Sequence, residues 1–406
     1  MTDIFLGIGL LVALVLLLTV LVVAARSVLL PQRPATLMVN GGTQIATKTG
    51  QKLLGVLNEN GILIPSACAG AGTCGLCRIK VTQGGLSALP IEAARFTRSE
   101  LRDGLHLACQ VMLRGDMTVE VDADLLSAET FMCNVAKTRQ LTPLIREVTL
   151  QMPDEVRPEI VAGSFVQVTA PPFTAPYDQF DIPNEFAPQW EPLRRLIATS
   201  AQDVTRAYSI SNRPKDTAAG RLVLNIRLAL PPPAVEEAPP GVVSSWLFSL
   251  KAGDQVPVSG PFGTFRVQPT RREMVLIGGG VGIAPLRAMI HEQLECLGTS
   301  RKMTFWYGAR NQSDLPYADD MDALAARHAN FNWTVAFSDP KPNDRGLRQT
   351  GMVHTVAFSN YLRDHPAPET CEYYLCGPPL MIRAVLAMLD DLGVEAESIF
   401  NDDFGV

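Results

Sequence analysis

Cys68, Cys74 and Cys77 form a C-x5-C-x2-C loop, and Cys109 follows further along the chain. Four thiolates are what a [2Fe–2S] cluster requires, and glycines at 70, 72 and 75 let the backbone turn tightly so that N–H groups face the sulfurs. The spacing therefore predicts an electron carrier. A structural zinc or disulfides are the alternatives, but zinc sites usually present two C-x2–4-C knuckles and only Cys74 and Cys77 make one here.

A second set of residues predicts nucleotide chemistry. Gly278-Gly-Gly-Val-Gly-Ile-Ala-Pro285 lies where an apolar strand hands over to a helical pattern. Glycines at such a point allow a tight turn and close approach of a ligand, and the helix start favours phosphates. The run is not the G-x-G-x-x-G fingerprint, so a two-βαβ Rossmann fold is not expected. Taken alone it also reads as a structural turn.

The cysteine region resembles plant-type and adrenodoxin-like ferredoxin domains; the first spacing, x5 rather than x4, fits the adrenodoxin-like variant better. Arg206-Ala-Tyr-Ser209, Gly241-Val-Val-Ser244, the glycine turn and Cys376-Gly-Pro-Pro379, in that order, resemble the ferredoxin–NADP⁺ reductase superfamily from about Phe131 to Val406. That resemblance implies FAD and a nicotinamide. Arg206 would neutralise the flavin pyrophosphate, Tyr208 would stack on the flavin, and Ser209 would bond near N5 of its ring. Gly241 and Ser244 would hold its phosphates. Gly278, Gly279, Gly280, Gly282 and Pro285, with Cys376, Gly377 and Pro378, would flank the nicotinamide, placing Cys376 near the carbon that gives up hydride. Arg310 would lie beside the adenosine ribose, in a stretch lacking the fuller basic and aromatic set of NADPH users, so NADH is expected. Phe404 would cover the flavin ring until nicotinamide displaces it. Ser209, Cys376 and Phe404 are thus the candidate catalytic residues, and Cys68, Cys74, Cys77 and Cys109 the metal ligands. The five histidines show no partner spacing and are read as core or surface residues. Cys133, Cys296 and Cys371 suggest no shared site, although a membrane-associated partner would find Cys133 a candidate contact.

The elements that must position these residues follow from periodicity. Residues 36–125 read as hairpin, short helix and strands, the order of a β-grasp ferredoxin domain. Residues 131–269 are strand-rich with turns at short intervals, predicting an antiparallel β-barrel that binds FAD. Residues 270–406 alternate strand and helix, predicting an α/β domain with a parallel sheet and NADH at the carboxyl ends of its strands. Two long interruptions remain. Pro171 to Arg195, aromatic and proline-rich, reads as a candidate docking surface, and Leu230 to Gly241 as a plain linker loop.

Before all of these, Ile4 to Ala25 carries no charge, enough for about 33 Å of helix. Residues 1–30 are read as a transmembrane anchor rather than a signal peptide, because no basic segment precedes the run. Arg26 and Arg33 follow it while only Asp3 precedes it, which puts the C-terminal bulk in the cytoplasm. A chain of 406 residues, 47% hydrophobic and 19% charged, has room for several cores, and a formal charge of −6 argues against a nucleic-acid partner. Cluster cysteines also need a reducing compartment.

Anchor, ferredoxin domain and reductase module in this order resemble the F-subunit family of Na⁺-translocating NADH:quinone oxidoreductases. The resemblance implies a membrane-anchored protein of the bacterial inner membrane that oxidises NADH, reduces FAD, passes single electrons to the cluster and hands them to other membrane subunits. The reductase component of a multicomponent oxygenase shares the modules but generally lacks an anchor. A membrane-tethered redox sensor is the alternative of another class.

Overall fold

The computed structural model describes residues 2–402 apart from 30, 31, 67, 69, 86, 127, 233–237, 345 and 347. The chain divides into two compact units, Met1–Ile64 with Gly70–Leu126, and Pro65–Ala69 with Ser127–Val406.

The first unit opens on a helix, Thr2–Leu29, in which Leu10, Leu14, Leu17 and Leu21 are all exposed. An apolar run exposed on every side buries nothing against its own chain. Described side chains run without a break only from 9 to 21, and among the described residues no helix is long and apolar enough to cross a membrane. Five strands follow: β1 (Pro34–Val39), β2 (Thr43–Lys48), β3 (Arg78–Gln83), β4 (Leu105–Leu107) and β5 (Met117–Glu120), in the order β2-β1-β5-β3-β4. Asn40 and Gly41, with φ of 49° and 67°, make the tight turn of the hairpin between β1 and β2. β5 lies parallel to β1, and the helix Leu53–Glu59 buries Leu53, Val56 and Leu57 in the same core as Leu37, Ile79 and Val119.

In the second unit six antiparallel strands form one sheet: β6 (Glu129–Thr142), β7 (Ile145–Gln151), β8 (Phe165–Ala170), β11 (Val204–Ser209), β12 (Arg221–Arg227) and β13 (Gln255–Phe262). A bridge from Ile210 to Leu224 joins its two end strands, so the sheet closes on itself. Between β8 and β11 lies the aromatic interruption, which carries β9 (Phe173–Pro176) and β10 (Ile197–Ser200). Its rings do not face solvent. Tyr177, Phe180, Phe186 and Trp190 are buried, Trp190 stacks on Phe248 at 6.0 Å and the Tyr177 hydroxyl meets Ser245 Oγ at 2.7 Å. The segment expected to dock a partner is instead a small core that braces the helix Val242–Ser249.

The remaining six strands are β14 (Met274–Gly279), β15 (Met303–Ala309), β16 (Phe331–Phe337), β17 (Gln349–Thr350), β18 (Glu372–Cys376) and β19 (Ile399–Asp402), all parallel, in the order β17-β16-β15-β14-β18-β19. The central strands β14, β15 and β18 read as nearly continuous buried runs because helices cover both faces. After β14 the chain turns through Gly280–Gly282 into the helix Ile283–His291, which ends in one π turn, Glu292–Cys296. Chain order reverses between β14 and β18, where a crevice opens at the carboxyl ends.

A polar latch fixes this sheet against the six-stranded ring. Tyr317, held at φ 57°, donates to Glu147 Oε2 at 2.6 Å or Asn225 Oδ1 at 2.7 Å, and Arg287 donates to the Ser211 carbonyl at 2.7 Å. Arg287 also pairs with Asp320 at 2.8 Å, beside His291 at 3.0 Å from the same oxygen. Because Arg287 stands on the helix that follows the glycine turn, the latch sets where that turn lies relative to β11.

Candidate functional site

Cys77 immediately precedes β3 and Cys109 follows β4; the Ala108 amide bonds to the Cys77 carbonyl at 2.8 Å, which holds the two strand ends together. Both cysteines are fully buried, while Cys74 and Cys68 are half-buried. Cys74 is close enough to Cys77 for its charge to be felt there. Cys68 lies in the segment Pro65–Ala69 of the second unit. Gly70, Gly72 and Gly75 have φ of 84°, 78° and 70°, a backbone that L side chains rarely adopt. At Gly72 a Cβ would also meet Ile91 Cδ1 at 2.9 Å. Gln110 Nε2 donates to the Gly70 carbonyl at 2.7 Å and to Cys109 Sγ at 3.4 Å. The Cys77 hydrogen bond, then Gln110 and the Gly72 amide, pull the Cys109 thiol below its ordinary value. Donors aimed at a buried sulfur favour thiolate, which fits an iron–sulfur site.

In the second unit Arg206, Tyr208 and Ser209 share β11, with Tyr208 beside Val166 of β8. Burial pushes the Tyr208 phenol up, so it stays protonated. The Arg206 guanidinium donates to the neighbouring Thr205 carbonyl at 2.8 Å. Gly241 caps the helix Val242–Ser249, and a Cβ there would strike Ala229 Cβ at 2.5 Å. Ser244 Oγ accepts from the Ala229 amide at 3.2 Å and donates to the Gly241 carbonyl at 3.1 Å. Its hydroxyl therefore closes the turn that presents the helix start.

The two nucleotide motifs, remote in sequence, meet in the crevice. Gly278 lies beside Cys376 in register, and a Cβ on Gly282 would fall 2.1 Å from the Cys376 carbonyl oxygen. Gly377, at φ 159°, has Gly279 N and O at 3.1 Å from where its own Cβ would be. Cys376 and Pro285 are buried, Gly280 is half-buried and Pro378 is exposed at the start of the helix Pro379–Asp391. Tyr307 donates to the Gly280 carbonyl at 2.8 Å and fixes the turn from below. Arg310, at the end of β15, has its Nε on Asp314 Oδ2 at 2.8 Å, beside a cavity of ≈350 Å³ lined by Pro143, Leu230, Asn311, Ser313 and Lys341. Phe404 lies outside the described residues.

Asp402 was not singled out from the sequence. It ends β19 in register with Cys376, and Ser209 Oγ donates to its Oδ2 at 3.0 Å. A carboxylate on β19 thus bonds to the strand expected to bind flavin, one strand over from Cys376 of the expected nicotinamide site. The signal was the acidic pair Asp402-Asp403 just before Phe404, too short a pattern to stand out in a single sequence.

Comparison with known proteins matches three families along the chain: a 2Fe-2S iron-sulfur cluster binding domain over residues 37–114, an oxidoreductase FAD-binding domain over 194–267 and an oxidoreductase NAD-binding domain over 276–387. The F subunit of the Na(+)-translocating NADH-quinone reductase of Neisseria meningitidis (strain FAM18) is 44% identical over 405 residues, covering 99% of this chain and 100% of the relative. The protein of the same name from Shewanella denitrificans is 43% identical, with 100% of both chains covered. Among solved structures, the Amycolatopsis cytochrome P450 reductase GcoB has a TM-score of 0.63 at 24% identity, covering 91% of this chain and 98% of its own. The ferredoxin reductase of carbazole 1,9a-dioxygenase reaches 0.59, also at 24% identity, over 92% and 99%. These two likenesses establish the fold.

Proposed function

The chain belongs to the F-subunit family of Na(+)-translocating NADH-quinone reductases, and from that premise we infer that it is the component through which electrons from NADH enter such a complex. It is an oxidoreductase with cluster, FAD and NAD domains in series. Bound NADH, FAD and [2Fe–2S] supply a hydride donor, a converter between two-electron and one-electron transfer, and a one-electron carrier.

The observation that carries the reading is the meeting of Gly282, Cys376, Asp402 and Ser209 at one crevice. In this reading the closely packed backbones of Gly278–Gly282 and Cys376–Pro378 form the wall against which nicotinamide lies, and Pro285 sits in the first turn of the helix behind it. Asp402 holds the Ser209 hydroxyl in one direction, so that a proton on Oγ has a fixed acceptor and water has less room between the two strands. Arg206 offers its remaining donors to the flavin phosphates, Tyr208 its ring face, and the helix start at Gly241 its amides, with Ser244 keeping that turn closed. Arg310 is already neutralised by Asp314, so a 2′-phosphate there would meet a carboxylate; this favours NADH over NADPH. Cys68, Cys74, Cys77 and Cys109 are the cluster ligands of the β-grasp domain, and burial of two of them with inward donors supports that assignment.

The helix Thr2–Leu29, apolar and exposed wherever its side chains are described, is the single-pass anchor in the bacterial inner membrane. Arg26 and Arg33 then keep the rest of the chain cytoplasmic. Tethering raises the donor's effective concentration for its membrane partners. Sodium movement belongs to those partners, because a single helix with no charge between Ile4 and Ala25 offers an ion no path.

The test is anaerobic addition of NADH to the full-length protein while absorbance and low-temperature EPR are recorded. Bleaching of the flavin band together with a reduced [2Fe–2S] signal is expected. A bleached flavin without the cluster signal would reject the internal relay, and no response would reject the nucleotide site.

A further inference from the structure

At the opposite, amino-terminal edge of the parallel sheet, Glu273 stands just before β14, Cys371 just before β18, and His365 on the loop between the helix Val353–Asn360 and β18. One ligand atom from each lies within 4.8 Å of the other two. Glu273 Oε2 is 3.2 Å from His365 Nε2, and Cys371 Sγ is 4.0 Å from the same nitrogen. Cys371 is 1% exposed, and burial, followed by the Glu273 charge, pushes its thiol up to about 11.

We propose that Glu273, His365 and Cys371 form a site for a divalent cation of the zinc type, separate from the iron–sulfur cysteines and from the nucleotide crevice. A tetrahedral zinc at ordinary bond lengths separates a nitrogen and an oxygen ligand by about 3.3 Å, and a nitrogen and a sulfur ligand by about 3.6 Å. The observed 3.2 and 4.0 Å need adjustments of a few tenths of an ångström. The sulfur–oxygen separation, within 4.8 Å, must close by up to about 1.2 Å to reach its own tetrahedral value of about 3.6 Å, which rotation of the Cys371 and Glu273 side chains supplies. A thiol, an imidazole and one carboxylate select a borderline-soft ion over magnesium or calcium, which want several oxygens. Tyr361 donates to the other oxygen of Glu273 and so leaves Oε2 turned toward the site.

A cation already sits near this place. Lys302 Nζ is 3.5 Å from Glu273 Oε2 and 4.8 Å from the centre of the Tyr361 ring, with its side chain 55% exposed. A cavity of ≈380 Å³ is lined by Lys302 and Tyr361, two residues that touch Glu273, together with Thr304 and Trp306; the Thr304 hydroxyl and Trp306 indole nitrogen within that lining have no hydrogen-bond partner. The Ala367 amide points at His365 Nδ1 at 3.3 Å, which places the ring proton on Nε2. A bound ion must therefore drive that proton from Nε2 to Nδ1, breaking the Ala367 bond, and displace the thiol proton and Lys302, so retention falls as pH falls.

The test uses the full-length protein with its cluster and flavin, equilibrated anaerobically with Zn²⁺ and then freed of excess. One zinc per chain should be retained, and Cys371→Ser and His365→Gln should each weaken retention by at least about tenfold. Co²⁺ in place of zinc should give a thiolate-to-metal absorption band in the difference spectrum that Cys371→Ser removes and Cys376→Ser leaves. Lys302→Gln, a change at a half-exposed side chain, should tighten binding, because it removes the competing charge. Flavin bleaching by NADH should remain normal in the Cys371, His365 and Lys302 variants, whose site is at the other end of the strands. No retained zinc in the unaltered protein, a cobalt band that survives Cys371→Ser, or weaker binding in Lys302→Gln would each overturn the proposal.

Discussion

Gly282→Ala isolates the close approach on which the nicotinamide crevice depends. Gly282 has φ −62°, a value that suits alanine, so backbone strain contributes nothing. The added methyl would lie 2.1 Å from the Cys376 oxygen, 2.4 Å from its carbonyl carbon and 2.7 Å from the Gly377 nitrogen. Ordinary contact begins near 3.4 Å, so the two backbones must separate by 1.3 Å (3.4 − 2.1). Overpacking of this kind costs about 1–3 kcal/mol. Catalysis suffers more, since a misplacement of about 1 Å lowers the rate roughly a hundredfold. Anaerobic stopped-flow mixing with NADH should therefore show flavin bleaching slowed about a hundredfold, with flavin content unchanged because β11 is untouched. Gly280→Ala is the contrast: at φ 56° with no atom within 4 Å of the new methyl, it costs about 1 kcal/mol of strain yet leaves Cys376 where it is. Wild-type bleaching in Gly282→Ala would refute the claim that this approach forms the nicotinamide wall.

Other substitutions separate the remaining functions. Cys74→Ala should abolish the EPR signal of the cluster while flavin reduction by NADH persists; loss of both would show that the two functions do not occupy different parts of the chain. Asp402→Asn removes the charge facing Ser209 and should slow flavin reduction by about tenfold to a hundredfold with little change in NADH affinity, as rate against NADH concentration will reveal. Asp314→Ser releases Arg310 and should raise the NADPH-to-NADH ratio of kcat/KM; an unchanged ratio would remove Arg310 from the ribose site. Burial pushes the Asp320 carboxyl up, but the His291 hydrogen bond and the Arg287 charge outweigh it and hold it well below the usual 3.8. A depressed folded value stabilises above the unfolded one and is lost as pH falls through the window below 3.8. Asp320→Asn should thus cost about 3 kcal/mol at neutral pH, a difference that shrinks in denaturant titrations below pH 4; a gap independent of pH would contradict this.

Much of the site was legible because its chemistry is local in sequence. The cysteine loop carries three ligands within a few positions, so spacing names them, whereas the R-x-Y-S strand and the glycine turn took their roles from the family resemblance. What escaped was assembled by the sheet. Asp402 matters through register with Cys376 and a bond to Ser209, and neither relation leaves a periodic trace. The same holds for Glu273, His365 and Cys371, which converge only because parallel strands begin side by side. The segment 171–195 misled for a different reason: proline and aromatic residues look the same whether their rings face a partner or, as with Trp190 and Tyr177, pack inward on Phe248 and Ser245. Ser244 was legible as part of a helix start, but its bonds to Ala229 and Gly241 depend on a turn that sequence alone does not draw.

The separation of Gly278 and Cys376, adjacent across the sheet yet 98 positions apart (376 − 278), also sets an order of events during translation. Parts of a chain fold roughly as they leave the ribosome. The cysteine loop and the closed ring are made first, and the two backbones that enclose the crevice meet only after β18 has emerged. A nascent chain is then able to acquire its cluster and flavin while it is still unable to take electrons from NADH and leak them to oxygen. A chain stalled after Thr350 should carry flavin yet leave it oxidised when NADH is added; bleaching in that fragment would argue against this built-in delay.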